Sequence, residues 1–293
     1  MFEKINNCPI CESSSFTNFI ICEDHTVSRE SFAIVQCNNC GLKFTNPRPS
    51  QELIGKYYES ENYISHSNKG NNLVNIAYKF VRKITIQNKV NLIRGLKLEN
   101  SVQLLDVGCG TGEFLAACIK KGWDCSGVEP SSGARTQSEK ITKLDILEDL
   151  ENVEGRFNVI TLWHVLEHLP DLNKVMGKLS SHLKKNGKLI IAVPNSESYD
   201  AGIFKKYWAG YDVPRHFYHF SQESMKALLK RNKLKLSKVI PMKFDAYYVS
   251  LLSNRYKLNS PEYVNSIITG YKSNSYASKN NNNYSSLIYV ISK

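Results

Sequence analysis

The chain has 293 residues, 42% of them hydrophobic, and a formal net charge of +11. This length can form one large α/β core with a smaller attached module, and the ordinary composition argues against a largely disordered chain. The first residues contain no apolar stretch typical of a secretory signal, and no apolar run approaches the roughly 18 residues that a membrane helix needs. We therefore expect a cytoplasmic protein without a membrane span, whose positive charge serves either solubility alone or the binding of an anionic partner.

Two CxxC pairs lie in the first part of the chain, residues 1–50, with 25 residues between them. Four thiolates in such an arrangement are typical of a tetrahedral zinc site, and a redox-active CxxC is the alternative. We predict a small zinc-ribbon-like module with a structural Zn²⁺, because four protein ligands leave no open coordination position. The four predicted ligands are Cys8, Cys11, Cys37 and Cys40.

The second part, residues 51–98, is predicted to be a helical arm. Its apolar residues recur at helical spacing and would form one face packed against the main domain. A lid is the alternative, since several aromatic side chains of the arm could close over a bound ligand. The apolar face consists of Leu73, Ile76, Ala77, Phe80, Val81 and Ile84, and the lid candidates are Tyr57, Tyr58, Tyr63 and His66.

The third part, residues 99–293, alternates strand-like and helix-like segments, which is typical of a mostly parallel sheet covered by helices. Asn186 and Gly187 are expected to stop a helix, and Ser221 is expected to begin the next one. The Asn-rich stretch 272–284 indicates a mobile loop. The predicted strands are 102–107, 124–128, 157–162, 188–193 and 287–291, and the predicted helices are 112–121, 171–185 and 221–231.

A glycine-rich loop follows the first predicted strand of this part and precedes a helix. From Asp106 to Glu113 it reads Asp-Val-Gly-Cys-Gly-Thr-Gly-Glu. Glycines there allow a tight turn and a close approach of the backbone to a ligand. Glu129 ends the next strand about 20 residues on, at the position from which an acidic side chain reaches the ribose hydroxyls of a nucleotide. The carboxylate of Asp106 would suit a ligand with an ammonium group better than a pyrophosphate.

The glycine-rich loop and Glu129 resemble motifs of class I S-adenosylmethionine-dependent methyltransferases. So do the segments Val128 to Pro130 and Leu162 to Asp171, and the resemblance covers residues 99–245. It implies a Rossmann-like, seven-stranded and mostly parallel sheet whose last strand is antiparallel. It also implies S-adenosylmethionine as cofactor, with Glu129 on the ribose and Asp145 near the adenine. The cofactor-binding residues that it implies are Asp106, Gly108, Cys109, Gly110, Gly112, Phe114, Glu129, Pro130, Asp145, Ile146, Trp163 and His164.

A general base helps methyl transfer to a hydroxyl or to an acidic carbon, and two segments offer candidates. One follows the predicted strand 157–162, and the other, Trp208 to Ser221, is dense in aromatic and ionisable residues. His168 and His216 match a histidine pair of zinc-bearing sugar C-methyltransferases, to which the chain has some similarity. Arg215 replaces an acidic residue of that family and would suit an acceptor carboxylate or phosphate. The predicted catalytic residues are His216, His168, Arg215 and Tyr211.

For the second segment, a packed aromatic crossover is the structural alternative. As function, we expect methylation at oxygen or carbon of a small molecule, a sugar or a glycan precursor, with an anionic acceptor as one option. The alternative is an RNA methyltransferase that uses the zinc module and basic surface such as the run from Lys226 to Lys243. A non-catalytic binding protein of the same fold is a third hypothesis, which the intact glycine loop and Glu129 disfavour.

Overall fold

A computed structural model of the chain describes residues 1–58, 73–96, 98 and 101–293, with the backbone alone for 73–80. The lid candidates Tyr63 and His66 lie outside the described residues. So does part of the predicted apolar face of the arm, namely the side chains of Leu73, Ile76, Ala77 and Phe80.

Twelve strands are formed by the described residues. They are β1 (Phe2–Glu3), β2 (Phe16–Glu23), β3 (Ser31–Cys37), β4 (Lys43–Thr45), β5 (Arg48–Pro49), β6 (Gln103–Val107), β7 (Asp124–Val128), β8 (Phe157–Trp163), β9 (Leu183–Pro194), β10 (Tyr218–His219), β11 (Lys235–Pro241) and β12 (Ser286–Ser292). Six of these strands form the central sheet, in the spatial order β11-β12-β9-β8-β6-β7. β12 runs antiparallel to both of its neighbours, and the pairs among β7, β6, β8 and β9 are parallel.

Apolar side chains of the central strands alternate between two clusters, because successive residues of a strand point to opposite faces. Leu104, Val159 and Ile190 belong to one cluster, and the residues that follow Leu104 and Val159 in the chain, Leu105 and Ile160, belong to the other. Burial on both faces explains why these strands appear in the sequence as nearly continuous apolar runs.

The α-helices of the described residues cover this sheet and connect its strands. They are α1 (Gln51–Ile54), α2 (Leu73–Arg94), α3 (Glu113–Ile119), α4 (Ser132–Thr142), α5 (Leu172–His182), α6 (Tyr199–Phe204), α7 (Gln222–Arg231), α8 (Asp245–Leu258) and α9 (Tyr263–Lys279). The predicted cap of α7 is confirmed, because the Ser221 hydroxyl accepts a hydrogen bond from the Ser224 amide in a capping box. Val90 and Ile93 of α2 are buried in the core of the main domain, as expected for the arm.

Three expectations from the sequence differ from the structure. The described residues form six strands of the central sheet rather than seven, and the segment after α4 contributes a single parallel bridge between Leu147 and Val128. Gly187 does not stop a helix with a left-handed residue, because β9 begins at Leu183 and runs through it. The stretch 272–284 is largely not a loop, since α9 continues to Lys279.

The N-terminal strands form a small sheet that includes a strand of the main domain. β10 pairs antiparallel with β4 in the order β10-β4-β3-β2. Thr45 strengthens this connection, because its amide donates to the carbonyl of Phe217 at 3.0 Å and its hydroxyl donates to the carbonyl of His216 at 2.8 Å. Apolar residues such as Ile10 and Phe44 share a core cluster with the central sheet. The predicted N-terminal module therefore packs directly against the segment that carries the histidine candidates.

Candidate active site

The glycine-rich loop leaves the end of β6 and enters α3 through three residues with positive φ. Gly108, Gly110 and Gly112 have φ values of 70°, 57° and 83°. A Cβ on Gly108 would lie 2.4 Å from Val165, and one on Gly112 would lie 2.4 Å from Ser138, whereas one on Gly110 meets nothing within 4 Å. The loop is thus packed tightly at both ends and open at Gly110, where a ligand can approach the backbone.

Glu129, at the end of β7, connects this loop to the neighbouring strand. Its Oε2 accepts a hydrogen bond from the Gly110 amide at 2.8 Å, and its Oε1 accepts one from the Ser131 amide at 2.9 Å. Glu129 is buried, and its own amide donates to the carbonyl of Leu147 at 2.8 Å. The structure therefore brings together the two features on which the sequence argument depended, the open glycine and the acidic residue.

Asp106 lies buried at the end of β6, beneath the loop. The hydroxyl of Thr161 donates to Asp106 Oδ1 at 2.6 Å. Burial raises the pKa of Asp106 to about 7, against the lowering effects of the Thr161 hydrogen bond and the nearby charge of Lys89. Lys89 comes from α2, and its Nζ lies 4.4 Å from the centroid of the Trp163 ring. A cation from the arm thus approaches Asp106, the residue expected to meet the ammonium group of a ligand.

Trp163 and Phe114 form an aromatic wall beside the glycine loop. Their ring centroids are 5.5 Å apart, with an interplanar angle of 77°. Trp163 Nε1 is buried and has no hydrogen-bond partner among the described residues. A buried donor without a partner is costly, so it indicates a position at which a ligand can accept a hydrogen bond.

His164 has the left-handed backbone conformation, with φ of 58°, at the point where β8 ends. Its Nε2 lies 3.0 Å from Asp245 Oδ2, and its Nδ1 lies 3.4 Å from Glu167 Oε1. Burial opposes the charged imidazolium, but the hydrogen bonds to these two carboxylates raise the pKa of His164 to about 10. His164 therefore joins the start of α8 to the buried Glu167.

The remaining cofactor candidates lie around the loop at different depths. Asp145 is exposed and Ile146 is buried, and both precede the Leu147 bridge to β7. Pro130 is exposed next to Glu129. Cys109 turns its thiol away from the open side, since its Sγ lies 3.7 Å from the hydroxyl of Ser138. The thiol is therefore packed against α4 of the protein itself.

The imidazole rings of His168 and His216 meet edge to face, and backbone carbonyls determine the tautomers of both. His216 Nδ1 lies 3.0 Å from the carbonyl of Gly210, and His168 Nδ1 lies 3.1 Å from the carbonyl of Arg215 and 3.0 Å from the hydroxyl of Tyr58. A carbonyl oxygen only accepts, so Nδ1 carries the proton in each neutral ring and Nε2 keeps its lone pair. The pair thus presents two ring nitrogens that carry no proton.

The carboxylate of Glu167 is buried beneath the two histidines. Its Oε1 lies 3.4 Å from His164 Nδ1, and among the described residues neither of its oxygens has a further hydrogen-bond partner. Burial would raise the pKa of Glu167, but the hydrogen bond from His164 and the charges of His216 and His168 lower it. Burial and the neighbouring His216 lower the pKa of His168 to about 4. The donor atoms of Glu167, His168 and His216 lie within 4.8 Å of one another, a spacing at which they could also hold a metal ion.

Arg215 occupies a different place from the one expected. Its guanidinium is buried and donates to Asp24 Oδ1 at 3.0 Å, to the carbonyl of Tyr57 at 2.9 Å and to both carboxylate oxygens of Asp212. These contacts join the N-terminal sheet to the segment before His216, so they do not support binding of an acceptor anion by Arg215. The backbone carbonyl of the same residue lies 3.1 Å from His168 Nδ1, so the segment that the guanidinium anchors also contacts the histidine pair.

Tyr211 is likewise buried within the protein. Its ring packs edge to face against Trp208 at 4.9 Å and against His219 at 5.3 Å between centroids. Burial raises the pKa of its hydroxyl. The predicted catalytic quartet therefore separates into a histidine pair and two residues, Arg215 and Tyr211, that pack behind it.

The four predicted zinc ligands lie together. The Sγ atoms of Cys8 and Cys40 are 3.4 Å apart, those of Cys11 and Cys37 are 3.5 Å apart, and all four lie within 4.8 Å of one another. Tetrahedral zinc with Zn–S bonds of about 2.3 Å separates its sulfur ligands by roughly 3.8 Å, so this arrangement fits the ion.

Several residues of the site were not found from the sequence. Thr161, Asp245 and Lys89 contact site residues from β8, α8 and α2, and Asp24 and Asp212 hold Arg215. The one local signal was the position of Thr161 inside an apolar run, where a polar side chain needs a partner. Asp212 belongs to the segment from Trp208 to Ser221, but its pairing with Arg215 was not predicted. Asp245, Lys89 and Asp24 come from segments distant in sequence, which a motif does not connect.

Comparison with known proteins shows what the chain is similar to. A family model described as a methyltransferase domain matches residues 81–239. The chain is 26% identical over 125 residues to a ubiquinone biosynthesis O-methyltransferase of Azorhizobium caulinodans, covering 40% of this chain and 49% of the relative. It is 30% identical over 121 residues to the protein of the same name in Coxiella burnetii, covering 36% and 51%. The chain thus spans about half the length of these relatives.

A solved structure supports the fold. Magnesium protoporphyrin IX methyltransferase from Synechocystis PCC 6803, determined with bound SAH, is 16% identical and has a TM-score of 0.51. The alignment covers 65% of this chain and 92% of that one. At this identity the likeness concerns the Rossmann-like α/β architecture alone.

Proposed function

Since the chain belongs to the methyltransferase domain family, whose model matches more than half of it, we propose that it methylates an oxygen atom of a small-molecule acceptor with S-adenosylmethionine as donor. The observation that carries this proposal is the hydrogen bond from the open Gly110 to Glu129. The names of the O-methyltransferase relatives support oxygen as the methylated atom. The histidine pair supports an acceptor that loses a proton.

The residues around the loop fit the donor. Glu129 would hold the ribose, the backbone from Gly108 to Gly112 would contact the amino-acid part, and Asp106 would hold the ammonium group. Ile146 would pack against the adenine, with Asp145 in reach of its edge. S-adenosylmethionine supplies a methyl group on a sulfonium, which is transferred by in-line displacement.

Within the proposed reaction, His216 acts as the general base. Its Nε2 is the unprotonated nitrogen, because Nδ1 donates to the carbonyl of Gly210. Asp212 Oδ2 lies 4.0 Å from this Nε2 and stabilises the imidazolium that forms when the acceptor proton is taken. His168 stays neutral because its pKa is lowered to about 4, so it orients the acceptor through its own Nε2.

We also propose that a structural Zn²⁺ is held by the four cysteines. The sulfur separations support this, and the position of the small sheet explains what the ion does. β4 of this sheet pairs with β10, two residues after His216. The metal would thus stabilise the sheet against which the histidine segment is packed.

The experiment that tests the proposed activity uses the whole chain with S-adenosylmethionine and a panel of phenols, catechols and hydroxylated sugars. Mass spectrometry detects the methylated product, and the appearance of S-adenosylhomocysteine measures turnover. Methylated phenols or catechols with equal amounts of S-adenosylhomocysteine would support O-methylation. Binding of S-adenosylmethionine without product from any acceptor class would argue against the acceptor class proposed, and absence of binding would argue against the donor.

A further inference from the structure

Helix α9 packs against the protein through its small residues and turns its large apolar residues outwards. Its buried residues are Ser266, Gly270, Ser273 and Ala277. Its large aliphatic and aromatic residues include Val264, Ile267, Ile268 and Tyr271, whose exposed fractions are 71%, 61%, 45% and 66%. We refer to these four as the outer face of α9. An amphipathic helix normally buries its apolar side, so this orientation is inverted.

The spacing of these residues makes the outer face continuous. With about 100° of rotation per residue, Val264, Ile267, Ile268 and Tyr271 fall within roughly one third of the helix circumference, opposite to the four buried residues. The same geometry places Lys272 and Lys279, both exposed, along the edge of this face. A large apolar stripe with a basic border is therefore presented to solvent.

The small residues on the inner side of α9 make specific contacts with the rest of the protein, so packing determines the inverted orientation of the helix. Asn254 of α8 donates to the hydroxyl of Ser266 at 2.9 Å, and the Ser273 hydroxyl donates to Asp200 Oδ1 at 2.7 Å. A Cβ on Gly270 would lie 2.6 Å from the ring of Tyr247, so the two helices approach each other too closely for a larger residue. Turning α9 over would bury branched side chains where only small ones fit.

The charge of the α8–α9 hairpin indicates what the outer face meets. From Met242 to Ser285 the chain has five basic and two acidic residues, and one of the acidic residues, Asp245, is paired with His164. The whole chain carries a net charge of +11. Two copies joined through this face would bring like charges together, whereas an anionic surface would neutralise them.

We propose that the outer face of α9 lies on an anionic lipid bilayer. An apolar stripe edged by lysines, with a tyrosine among its aliphatic residues, has the composition of a helix that lies in the membrane interface. No helix among the described residues has the length and apolar character needed to cross a bilayer, so the contact is one of a helix lying on the surface. Because α8 begins at Asp245, the hairpin that carries this face connects directly to the active site.

Vesicle flotation of the whole chain tests this proposal. Vesicles of an equal mixture of phosphatidylglycerol and phosphatidylcholine should carry the protein upwards, and phosphatidylcholine vesicles should bind at least about tenfold less. The variant Ile267→Ser/Tyr271→Ser should lose at least about tenfold of the binding to anionic vesicles. The variant Lys272→Glu/Lys279→Glu should also bind more weakly, because it reverses the charge at the edge of the face without changing the apolar stripe.

The matched control is Ile21→Ser/Ile141→Ser, which removes two exposed isoleucines outside the hairpin and should bind like the wild type. Substitutions on exposed positions should leave the melting temperature of every variant within a few degrees of the wild type. Equal flotation of the wild type and of Ile267→Ser/Tyr271→Ser would overturn the proposal. So would a dimer in light scattering that this variant converts to a monomer, since the face would then join two copies of the chain.

Discussion

The rings of His168 and His216 lie 4.6 Å apart between centroids, at an interplanar angle of 81°. They come from segments 48 residues apart in the chain, one following β8 and one preceding β10. The pair is held by backbone carbonyls on its Nδ1 side, so Nε2 is the unprotonated nitrogen of each neutral ring. This arrangement makes His216 the best candidate for the base of the proposed reaction.

We predict that His216→Ala lowers kcat at least about 100-fold and leaves the affinity for S-adenosylhomocysteine unchanged. Glu129 and the glycine loop, which are proposed to bind the cofactor, lie in other segments. Turnover and calorimetric titration measure the two effects. His182→Ala, at a half-buried histidine at the end of α5 that contacts the Gly155 carbonyl, is the control and should turn over like the wild type. Equal turnover in the His216 variant would remove this residue from the mechanism.

The Asp106 carboxylate should lower the stability of the folded protein and strengthen cofactor binding. Its pKa is raised to about 7 in the folded protein, above the ordinary value of 3.8, so the folded state holds this proton more strongly than the unfolded one. The contribution of Asp106 to stability therefore falls as the pH rises from about 4 to about 7. We predict that Asp106→Asn is more stable than the wild type at pH 8 by roughly 2 to 4 kcal/mol in urea denaturation.

The same variant should bind S-adenosylhomocysteine at least tenfold more weakly, on the order of 1.4 kcal/mol, because the neutral amide replaces the carboxylate proposed to hold an ammonium group. Asp124→Asn, at an exposed carboxylate at the start of β7, should change neither property. If Asp106→Asn were less stable than the wild type at pH 8, the buried carboxylate would not lower the free energy of unfolding, which would contradict the prediction.

Arg215 should be needed for stability rather than for binding an anion. Its replacement by Met leaves the buried Asp24 without its cation, which typically costs about 3 to 5 kcal/mol. Urea denaturation measures this loss, and Arg29→Met, at an exposed arginine, is the control. If Arg215→Met were as stable as the wild type and instead raised the KM for an acidic acceptor, Arg215 would bind the acceptor anion, as the sequence predicted.

Metal removal should affect more than the N-terminal residues. The four cysteines share a core with the main domain, and β4 pairs with β10. We predict one zinc per chain in elemental analysis, and faster amide exchange at Tyr218 and His219 after chelation. Cys40→Ser should have the same effect on exchange, whereas Cys118→Ser, at a buried cysteine of α3 outside the cluster, should not. A chain that contains no zinc would contradict this prediction.

The sequence was most informative where a local pattern suffices. The glycine loop, Glu129, the buried strands and the Ser221 cap were found, because spacing and residue type determine them nearly alone. The position of Gly187 was misjudged because a Gly after an apolar helical stripe also occurs inside a strand, as it does in β9. Helix α9 was not predicted, and its part from residue 272 was interpreted as a loop, because the small residues on its inner side, such as Ser266 and Ser273, become buried only through packing against segments distant in sequence.

The role of Arg215 could not be read from the sequence, for a related reason. Its partners Asp24 and Asp212 are 191 and 3 residues away, and only the fold brings the first of them close. A basic residue next to a histidine suggested an anion site, but the nearest anions are carboxylates of the protein itself. Long-range ion pairs of this kind leave no spacing pattern in the chain.

The most direct test of the central claim is calorimetric titration of S-adenosylhomocysteine into the wild type and Gly110→Arg. A Cβ at Gly110 meets no protein atom within 4 Å, so the arginine side chain should extend into the proposed cofactor space, and the strain of a left-handed residue should cost about 1 kcal/mol. We predict one binding event per wild-type chain and no detectable binding to the folded variant. Equal binding to both proteins, or none to the wild type, would contradict the account.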